Sequence, residues 1–324
     1  MNLIVQKFGG SSVADAGRLL RVSQIVREER EAGHDVLVVV SAQGDATDEL
    51  LQKARGTSKT PPSRELDALL SAGEQVSAAL TAMTLEAQGI PAVSLSAWQL
   101  PIRTDTVHGD ASIRDVGVRR VRSELLRHRV VVVTGFQGVD ELGDVTTLGR
   151  GGSDYTAVAL AAAFGAKHCH IYTDVDGVYT ADPRLCPTAR RLERVSYEDM
   201  YALSRAGAQV LHDKCVALAQ EKGVEPEVRS TVPKSAGTRI CGEAAERIAG
   251  VTCRARRGDE LSAVTVVGRA LPSLAVEKRA ILSLNAAGIV VRGVDAGTGT
   301  LTLYVARERD REALCAVHDA VLAE

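Results

Sequence analysis

Two glycine-rich segments, far apart in the chain, carry the side chains best suited to binding a small anion. Residues 146–154 contain two threonines, three glycines, Arg150 and Asp154, and they precede a predicted helix over residues 155–164. Glycines let backbone N–H groups approach an anion, and a helix N-terminus adds the positive end of its dipole. Arg150 can grip a carboxylate or phosphate through two parallel hydrogen bonds. The second segment, residues 7–12, joins a lysine to two glycines and two serines.

The composition is that of an ordinary globular protein. The 324 residues are 45% hydrophobic and 25% charged, which is enough for a large core in one large or two ordinary domains. The formal net charge of −2 gives no reason to expect a nucleic-acid partner. An aromatic content of 3% also disfavours base-stacking surfaces.

The cysteines and the N-terminus indicate a cytoplasmic protein. Six cysteines form no C-x-x-C pair and fit no common zinc spacing, so we interpret them as reduced thiols. His168 and His170 share a strand face but lack a third ligand, and packing explains them better than a metal. We therefore predict no protein-held metal site. Lys7 follows the first apolar run at once, and no apolar run reaches about 18 residues, so neither a signal peptide nor a membrane span is predicted.

Strands and helices alternate through the first 230 residues. Short β-branched or apolar runs predict strands over residues 3–8, 35–41, 92–96, 130–134, 168–173 and 224–229. Helical patterns lie between them, at residues 19–26, from about 47, and at 65–88, 113–128 and 155–164, with a loop at 53–63. This alternation predicts an α/β fold with a mostly parallel sheet covered on both faces. Ligands in such sheets bind beyond the carboxyl ends of the strands, where both glycine segments begin.

A smaller module follows a predicted linker at residues 241–249. It has predicted strands at 261–267, 289–294 and 301–305, helices at 274–287 and 311–322, and a hairpin turn at 297–299. Such a module of about 75 residues is large enough to stand alone. The expected division is therefore a domain at 1–240 and a small α+β domain at 250–324.

Five motifs together resemble aspartate kinase, a member of the amino acid kinase superfamily. They lie, in the family's order, at residues 7–13, 40–50, 71–77, 146–154 and 173–184. The small module resembles the ACT domains of that family, which usually come in tandem, whereas this chain has room for about one. The resemblance implies a three-layer α/β/α sandwich followed by a single ACT-like domain.

The implied reaction moves the γ-phosphoryl group of ATP onto the side-chain carboxylate of L-aspartate. A carboxylate is already ionised at neutral pH, so the nucleophile needs no general base. Catalysis then depends on positioning and on neutralising charge around a loose transition state. The chemistry also implies Mg²⁺, held mainly by ATP and water.

The resemblance assigns the catalytic and nucleotide-binding roles. Lys7 would stabilise the transferring phosphoryl group, although a lysine at a strand end can also simply reach solvent. Asp154 would orient Lys7. Backbone N–H groups of Gly9 and Gly10 would bind phosphate oxygens. The other predicted nucleotide-binding residues are Ser11, Thr173, Asp174, Tyr179, Asp182, Arg184 and Gln209. For Ser11, a role as a helix cap is an equal alternative. For the segment around Asp174, a plain turn is the alternative to nucleotide binding.

The acceptor would be held by charges of both signs. Arg150 would clamp the α-carboxylate of aspartate, and Glu74 would bind its α-ammonium group. Without the resemblance, Glu74 would be interpreted as a solvated helix charge. The remaining predicted substrate-binding residues are Ser12, Ser41, Thr47, Gly151, Gly152 and Ser153.

Two departures from the family pattern carry consequences. Gln209 stands where the family usually has a lysine that contacts ATP phosphates, which predicts weaker nucleotide binding or turnover. Residues 271–273, Leu-Pro-Ser, lack the glycine common in family effector loops. With only one ACT-like unit, this predicts weak or absent feedback inhibition by lysine or threonine. The module's sheet could still pair across a two-fold axis, which predicts a homodimer.

Two alternatives stay open at this point. The acceptor could be a different carboxylate, or the chain could be a non-catalytic amino-acid sensor. Glu74 with Arg150 favours a free α-amino acid over the first alternative. The non-catalytic alternative is supported only by Gln209. It is disfavoured because the chain retains four residues of the predicted site, Lys7, Arg150, Glu74 and Asp154.

Overall fold

The computed structural model describes residues 2–231, 236–243, 246–255 and 260–322. The chain groups into two compact units. The first unit comprises residues 1–176 and 218–235, and the second comprises residues 177–217 and 236–324.

The strands are numbered in chain order. They are β1 Leu3–Phe8, β2 Asp35–Val40, β3 Ala92–Leu95, β4 Ile102–Thr104, β5 Ile113–Val116, β6 Val130–Thr134, β7 Gln137–Val139, β8 Val145–Thr147, β9 His168–Thr173, β10 Arg194–Ser196, β11 Glu225–Ser230, β12 Thr238–Cys241, β13 Gly250–Ala255, β14 Leu261–Val267, β15 Gly293–Gly297 and β16 Thr300–Ala306.

The α-helices are numbered in the same way. They are α1 Ala16–Glu31, α2 Ala46–Thr57, α3 Ser63–Leu70, α4 Ala72–Ala87, α5 Arg119–Leu125, α6 Gly152–Phe164, α7 Tyr197–Ala206, α8 Asp213–Lys222, α9 Leu274–Ala286 and α10 Asp310–Leu322. None of these described helices is both long and apolar enough to cross a membrane.

A parallel sheet forms the centre of the first unit, in the order β11-β9-β1-β2-β6-β3. Each neighbouring pair in this stretch is parallel, with Lys7 opposite Val39 on one side and Ile171 on the other. The strands β2 and β6 are almost continuous valine, and their valines are fully buried. Such runs are typical of strands covered on both faces.

The two faces of this sheet are covered by different helices. Ile4 and Phe8 of β1 belong to a buried apolar cluster with residues of α1 and α4. Side chains alternate along a strand, so Val5 and Lys7 point to the opposite face. That face is covered by α6, which packs against β1, β2 and β9. The predicted α/β/α layering is therefore present, and Lys7 faces α6.

A second, four-stranded sheet of the first unit has the order β5-β4-β7-β8. Its β4–β5 and β7–β8 pairs are antiparallel, and the central β4–β7 pair is parallel. The strand β8 ends at Thr147 and leads directly into the glycine-rich segment. This small sheet therefore fixes where that segment begins.

The second unit contains the small α+β module. Its sheet has the antiparallel order β13-β14-β16-β15. Helices α9 and α10 supply buried side chains to one apolar cluster with β13, β14 and β16. The predicted hairpin is present, since Gly297 pairs with Thr300 and Gly299 has φ of +74°. The unit also contains the parallel pair β10–β12 and the helix α7.

Four details of the predicted elements are wrong. The predicted helix at 113–128 is β5 followed by the shorter α5, because Ile113 and Asp115 pair with β4. The predicted helix at 65–88 is two helices, α3 and α4, separated only at Ser71. The loop expected at 53–63 begins later, because α2 continues to Thr57, and the strand expected at 289–294 lies at 293–297.

Candidate active site

A buried ion pair lies at the centre of the site. Lys7 is 8% exposed, and its Nζ lies 2.7 Å from Oδ1 of Asp154 in the first turn of α6. Lysine and aspartate are rarely buried unless they are paired. The pair forms because the alternation of β1 directs Lys7 to the face that α6 covers. The arrangement places an ammonium group at a helix N-terminus, where both would attract an anion.

The turn after β1 is shaped by two glycines. Gly9 donates its N–H to the carbonyl of Tyr172 at the end of β9, at 3.0 Å. A Cβ on Gly10 would lie 2.5 Å from the carbonyl oxygen of Ala42, which is closer than real contacts allow. The position therefore accepts only glycine, and the turns that follow β1 and β2 lie in direct backbone contact. Gly44 donates its N–H to the Gly10 carbonyl at 3.1 Å and completes this contact.

The second glycine-rich segment surrounds Arg150. Gly149 and Gly151 have φ of +76° and +71°, the left-handed region that favours glycine. Gly151 caps α6, so the free N–H groups of that helix open beside Arg150. Arg150 is exposed, and within the described part of the chain no hydrogen bond or ion pair is recorded for it. Its guanidinium is therefore available to a ligand.

Glu74 is a buried carboxyl group in the first turn of α4. It is 3% exposed, and its Oε1 accepts a hydrogen bond from the backbone N–H of Ala42 at 2.9 Å. Its other oxygen, Oε2, is buried without a hydrogen-bond partner among the described residues. Burial raises the pKa of Glu74 to about 7, because the charged form loses its hydration. A ligand cation beside Oε2 would restore the missing interaction and favour the carboxylate.

Asp67 holds the end of β8, the strand that leads into the glycine-rich segment around Arg150. This residue of α3 is 1% exposed. Its Oδ1 accepts from the Thr147 hydroxyl at 2.6 Å, and its Oδ2 accepts from the Thr147 N–H at 2.9 Å. The same Oδ2 contacts His108 Nδ1 at 2.9 Å and accepts from the Gly109 N–H at 3.0 Å. One carboxylate thus holds the end of β8, two residues before Gly149, and the loop at 108–109.

These elements enclose a cleft of about 310 Å³. Ten of the predicted site residues line it: Lys7, Gly10, Ser41, Thr47, Glu74, Arg150, Gly151, Gly152, Ser153 and Asp154. The structure thus brings the predicted phosphoryl-stabilising pair and the predicted acceptor-binding residues to one cleft. Lys7 and Arg150, which are far apart in the chain, open into the same space.

Four further residues line the cleft that were not singled out from the sequence: Ala42, Gly44, Phe136 and Gly149. Ala42, Gly44 and Gly149 lie inside motifs already recognised, so a fuller reading of those motifs would have found them. Phe136 follows β6, where ligands of parallel sheets are expected. It has φ of +69°, which is rare for an aromatic residue and costs conformational energy. No sequence signal indicates this backbone conformation.

The remaining predicted residues of the first unit lie beside the cleft. Ser11 is exposed, and its carbonyl accepts from the Arg18 guanidinium. Ser12 is buried, and its hydroxyl has no hydrogen-bond partner among the described residues. Thr173 ends β9 and Asp174 follows it, and the Thr173 hydroxyl donates to Asp174 at 3.0 Å. Gly9 lies against the end of this strand, so this group continues the same sheet edge.

The other predicted nucleotide-binding residues belong to the second unit. Tyr179 forms an isolated bridge with Arg191. Asp182 and Arg184 pair with each other, with Nη2 of Arg184 2.8 Å from Oδ2 of Asp182. The hydrogen bond from Arg184 holds the pKa of Asp182 below its ordinary value. Gln209 is exposed.

The glycine turns, the buried lysine and the parallel sheet define a class of protein. The chain belongs to the amino acid kinase family, whose sequence model matches residues 2–230.

Relatives within that family place the chain among the aspartokinases. The aspartokinase of Bacillus sp. (strain MGA3) is 44% identical over 311 residues, which cover 94% of this chain and 75% of the relative. The aspartokinase of Geobacillus stearothermophilus is 48% identical over 268 residues, covering 83% and 66%. The chain thus spans only two thirds to three quarters of the length of these relatives. The structure of E. coli aspartokinase III with aspartate and ADP has the same fold, with a TM-score of 0.85 at 21% identity, covering 99% of this chain and 100% of that one.

Proposed function

We propose that this protein phosphorylates the side-chain carboxylate of L-aspartate with ATP, giving 4-phospho-L-aspartate and ADP. The observation that carries the proposal is the single cleft that joins the Lys7–Asp154 pair to Arg150 and Glu74. A phosphoryl-stabilising cation and partners for both charges of an α-amino acid then surround one small volume. The aspartokinase relatives support the same reaction.

The acceptor is oriented by its two backbone charges. Arg150, which is exposed at the rim, binds the α-carboxylate through two parallel hydrogen bonds. Glu74 binds the α-ammonium group through the buried oxygen that lacks a partner. Ser41, Thr47 and Ser153 supply hydroxyl groups to the acceptor. With both α-groups held, the side-chain carboxylate is left to face Lys7, which lines the same cleft.

The chemical step needs no proton transfer from the nucleophile. One oxygen of the aspartate side chain attacks the γ-phosphorus, the bond from that phosphorus to the β-γ bridging oxygen breaks, and ADP leaves with the electron pair. Lys7 stabilises the negative charge on the equatorial oxygens. Asp154 holds the ammonium group in place, and the free N–H groups at the start of α6 add their dipole.

Magnesium is proposed to be carried by the nucleotide. Of the two buried carboxylates of the cleft, Asp154 pairs with Lys7, and Glu74 is assigned to the α-ammonium group of the acceptor. The donor set therefore fits a cation whose ligands are mainly phosphate oxygens and water, which is how Mg²⁺ usually binds with nucleotides. Such an ion would neutralise part of the negative charge of the phosphate groups.

The nucleotide itself is assigned to the sheet edge beside Lys7. Gly9 and Gly10 offer N–H groups to the phosphates, with Ser11 and Ser12 next to them. Thr173 and Asp174 contact the ribose side. We also assign nucleotide binding to Tyr179, Asp182, Arg184 and Gln209, of which Gln209 has a neutral amide in place of the family's lysine. One charge-assisted contact is lost in this way, which weakens ATP binding by on the order of 1–3 kcal/mol.

We also propose the organisation of the whole chain. Residues 1–240 form the catalytic domain, and residues 250–324 form one ACT-like domain that mediates a homodimer. Feedback inhibition by lysine or threonine is weak or absent, since the loop at 271–273 lacks glycine.

A hydroxylamine-trap assay tests the function. The protein is incubated with ATP, Mg²⁺, hydroxylamine and, in turn, aspartate, glutamate, N-acetylaspartate and aspartate α-amide. Hydroxamate should form from aspartate and fall sharply with the two blocked analogues, which each lack one α-charge. Hydroxamate from another acid alone would change the acceptor, and none from any acid would support a non-catalytic role.

A further inference from the structure

The 178–192 loop, which lies between β9 and β10, carries three residues that the proposed function assigns to the nucleotide: Tyr179, Asp182 and Arg184. Two backbone hydrogen bonds close its base, from the Leu192 N–H to the Val178 carbonyl at 2.8 Å and from the Thr180 N–H to the Arg190 carbonyl at 2.9 Å. The loop belongs to the same compact unit as the small α+β module. Its position therefore depends on its contacts within that unit.

Apolar side chains of the loop are part of the core of the small module. Ala181 and Cys186 are 5% and 0% exposed, and they belong to the buried cluster that contains side chains of β13, β14, β16, α9 and α10. Leu185 and Ala189 pack against the same cluster. Separating the loop from the module would expose these four side chains to water, which is unfavourable in proportion to their apolar area.

The backbone of the loop is joined to β13. Val251 donates its N–H to the Thr180 carbonyl at 2.7 Å. A Cβ on Gly250 would lie 2.7 Å from the same carbonyl oxygen, which is closer than real contacts allow. The first residue of β13 therefore has to be glycine for the two main chains to meet. Tyr179 precedes this contact directly, so β13 holds the backbone next to that side chain.

A hydrogen-bonded cluster joins the loop to α10. The Thr188 hydroxyl donates to Oδ1 of Asp319 at 2.5 Å and lies 3.3 Å from Nδ1 of His318. Because its single hydrogen is used by Asp319, Thr188 accepts from Nδ1, which therefore carries a hydrogen. Nε2 of His318 is then an acceptor, and the Thr180 hydroxyl donates to it at 2.9 Å. Thr180 in turn accepts the Arg190 N–H at 3.0 Å, so one buried histidine links both ends of the loop.

The turn at the tip of the loop is also held by α10. The Leu185 carbonyl accepts from the Cys315 thiol at 3.2 Å and from Nε of Arg311 at 3.4 Å. Leu185 directly follows Arg184, whose backbone N–H donates to Oδ1 of Asp182 at 2.9 Å. The two charged residues assigned to the nucleotide therefore share one turn, and α10 fixes the end of that turn.

We infer that the small module positions the nucleotide-binding residues of the 178–192 loop, and that His318 is the central positioning residue. This inference rests on the proposed function, which assigns the loop to ATP. The contacts that hold the loop lie within the second unit, whereas Arg150 and Glu74, assigned to the acceptor, belong to the first. Loosening the loop should therefore weaken the binding of ATP and leave that of aspartate unchanged. In this role the module serves nucleotide binding whether or not it binds an effector.

Substitutions at the cluster test the inference in the hydroxamate assay, with ATP and aspartate titrated separately. His318→Ala removes both contacts of the imidazole. We expect it to raise the KM for ATP at least about tenfold and to keep the KM for aspartate within about twofold, since only the orientation of the loop is lost. His318→Gln, whose amide can replace Nε2 as the partner of Thr180, should recover part of the loss. Thr188→Val, which keeps the side-chain shape without the hydroxyl, should also raise the KM for ATP.

Ser262→Ala is the matched control. The Ser262 hydroxyl donates to Oδ2 of Asp310 at 3.2 Å and so joins β14 to the first turn of α10, within the module. Its loss should lower the thermal unfolding midpoint but keep the KM for ATP at the parental value. The inference fails if Ser262→Ala and His318→Ala raise the KM for ATP alike, because the effect would then reflect only a less stable module.

Direct binding of ATP separates this inference from the proposed reaction. Equilibrium dialysis of the 324-residue chain against radiolabelled ATP with Mg²⁺ measures nucleotide affinity without catalysis. If the parent chain binds ATP but forms no hydroxamate, the proposed reaction is wrong, and weaker ATP binding by His318→Ala still supports the positioning role. If the parent chain is active and His318→Ala keeps its ATP affinity, the positioning role alone is wrong. A parent chain that binds no ATP contradicts both.

Discussion

At the scale of single residues, the Lys7–Asp154 pair is the contact on which the proposed chemistry depends. Both side chains are only 10% exposed, so neither charge is well hydrated. Breaking a buried pair by removing one partner leaves the other charge uncompensated and is strongly destabilising. A test of Lys7 must therefore separate lost catalysis from lost folding.

We expect Lys7→Met to lower kcat by at least about 10²–10³-fold, because methionine keeps the apolar stem but cannot stabilise phosphoryl charge. Steady-state hydroxamate formation measures the effect. The double variant Lys7→Met, Asp154→Asn removes both charges and should fold better while staying equally slow. Lys167→Met, at an exposed lysine 3.1 Å from Glu225, is the control and should keep full activity. A parental rate for Lys7→Met would give that residue a purely structural role.

Glu74 should make aspartate binding depend on pH. Its pKa is about 7, so the free protein loses this negative charge as the pH falls through 7. We expect the KM for aspartate to rise below pH 7, since a neutral carboxyl group no longer balances the α-ammonium group. Glu74→Gln should show the high KM at every pH, whereas Glu86→Gln, on the same helix and exposed, should match the parent. A KM that stays flat between about pH 6 and pH 8, roughly one unit either side of that pKa, would contradict the assignment.

The same raised pKa predicts an effect on stability. The folded protein binds the Glu74 proton more tightly than the unfolded chain, so the cost of burying the charge is absent below about pH 4.5 and grows as the pH rises through 7. Glu74→Gln removes that cost. We expect it to raise the free energy of unfolding at pH 8 by up to roughly 3 kcal/mol, with little change at pH 4.5. Denaturant unfolding at both pH values measures the difference.

The site residues differ in how far the sequence can predict them. Lys7, Arg150 and Asp154 lie in glycine-rich motifs, where residue type and spacing already indicate anion binding. The importance of Asp67 was not evident, because its four contacts join residues that are about 40 and 80 positions away. The left-handed backbone of Phe136 was equally hidden, since nothing in the residue type favours it.

At the scale of elements, α3 positions the glycine-rich segment through Asp67. We expect Asp67→Asn to raise the KM for aspartate about tenfold, because an amide NH₂ would face N–H and O–H donors and displace the segment that carries Arg150. The KM for ATP should change much less. Separate titrations of the two substrates in the hydroxamate assay measure the difference.

Asp140→Asn is a matched control for that prediction. Asp140 is also a buried carboxylate, but it accepts from the Leu142 and Asp144 N–H groups, both at 2.9 Å, in the turn between β7 and β8. Its replacement should lower thermal stability without selectively changing aspartate binding. If both variants shift the two KM values alike, Asp67 has a general structural role only.

The elements themselves could be predicted where their signal is local. The valine runs of β2 and β6 and the alanine-rich α6 follow directly from composition and periodicity. The short strands β4, β5, β7 and β8 were missed because they are three or four residues long and are stabilised by partners distant in the chain. Tertiary pairing of β5 also explains why the helix predicted at 113–128 begins late.

At the scale of the whole chain, the small α+β module of the second unit is proposed to be one ACT-like domain. The residue before its first helix is Ser273, whose side chain caps α9 by accepting from the Val276 N–H. The loop thus has a helix-capping serine where the family commonly has a glycine. We propose that this module pairs with a second copy of the chain but keeps no effector site.

We expect lysine and threonine, alone or together at millimolar concentration, to leave the rate of aspartate phosphorylation within about twofold of its uninhibited value, because the loop lacks the glycine that would let backbone N–H groups approach an effector closely. Initial rates at aspartate concentrations near KM measure this most sensitively. Alanine at the same concentration controls for ionic strength and weak competition. Strong inhibition by either effector amino acid would show that the module retains regulation.

Long-range assembly was the least predictable property of the molecule. The Thr188 hydroxyl contacts His318 Nδ1 at 3.3 Å and donates to Asp319, both about 130 positions away, because the segment before β10 packs against α10. No local sequence pattern predicts such contacts. A cluster contributed by two distant segments can be found only from the fold.

The backbone contact between Gly10 and Ala42 restricts how this enzyme can be redesigned. The bottom of the cleft is built from main-chain atoms that already touch, so it cannot be deepened or filled by exchanging side chains. A larger acid would have to be accommodated at the mouth, where Ser41, Thr47 and Arg150 offer replaceable groups. Libraries aimed at new acceptors should therefore vary those three positions and keep both glycine turns unchanged.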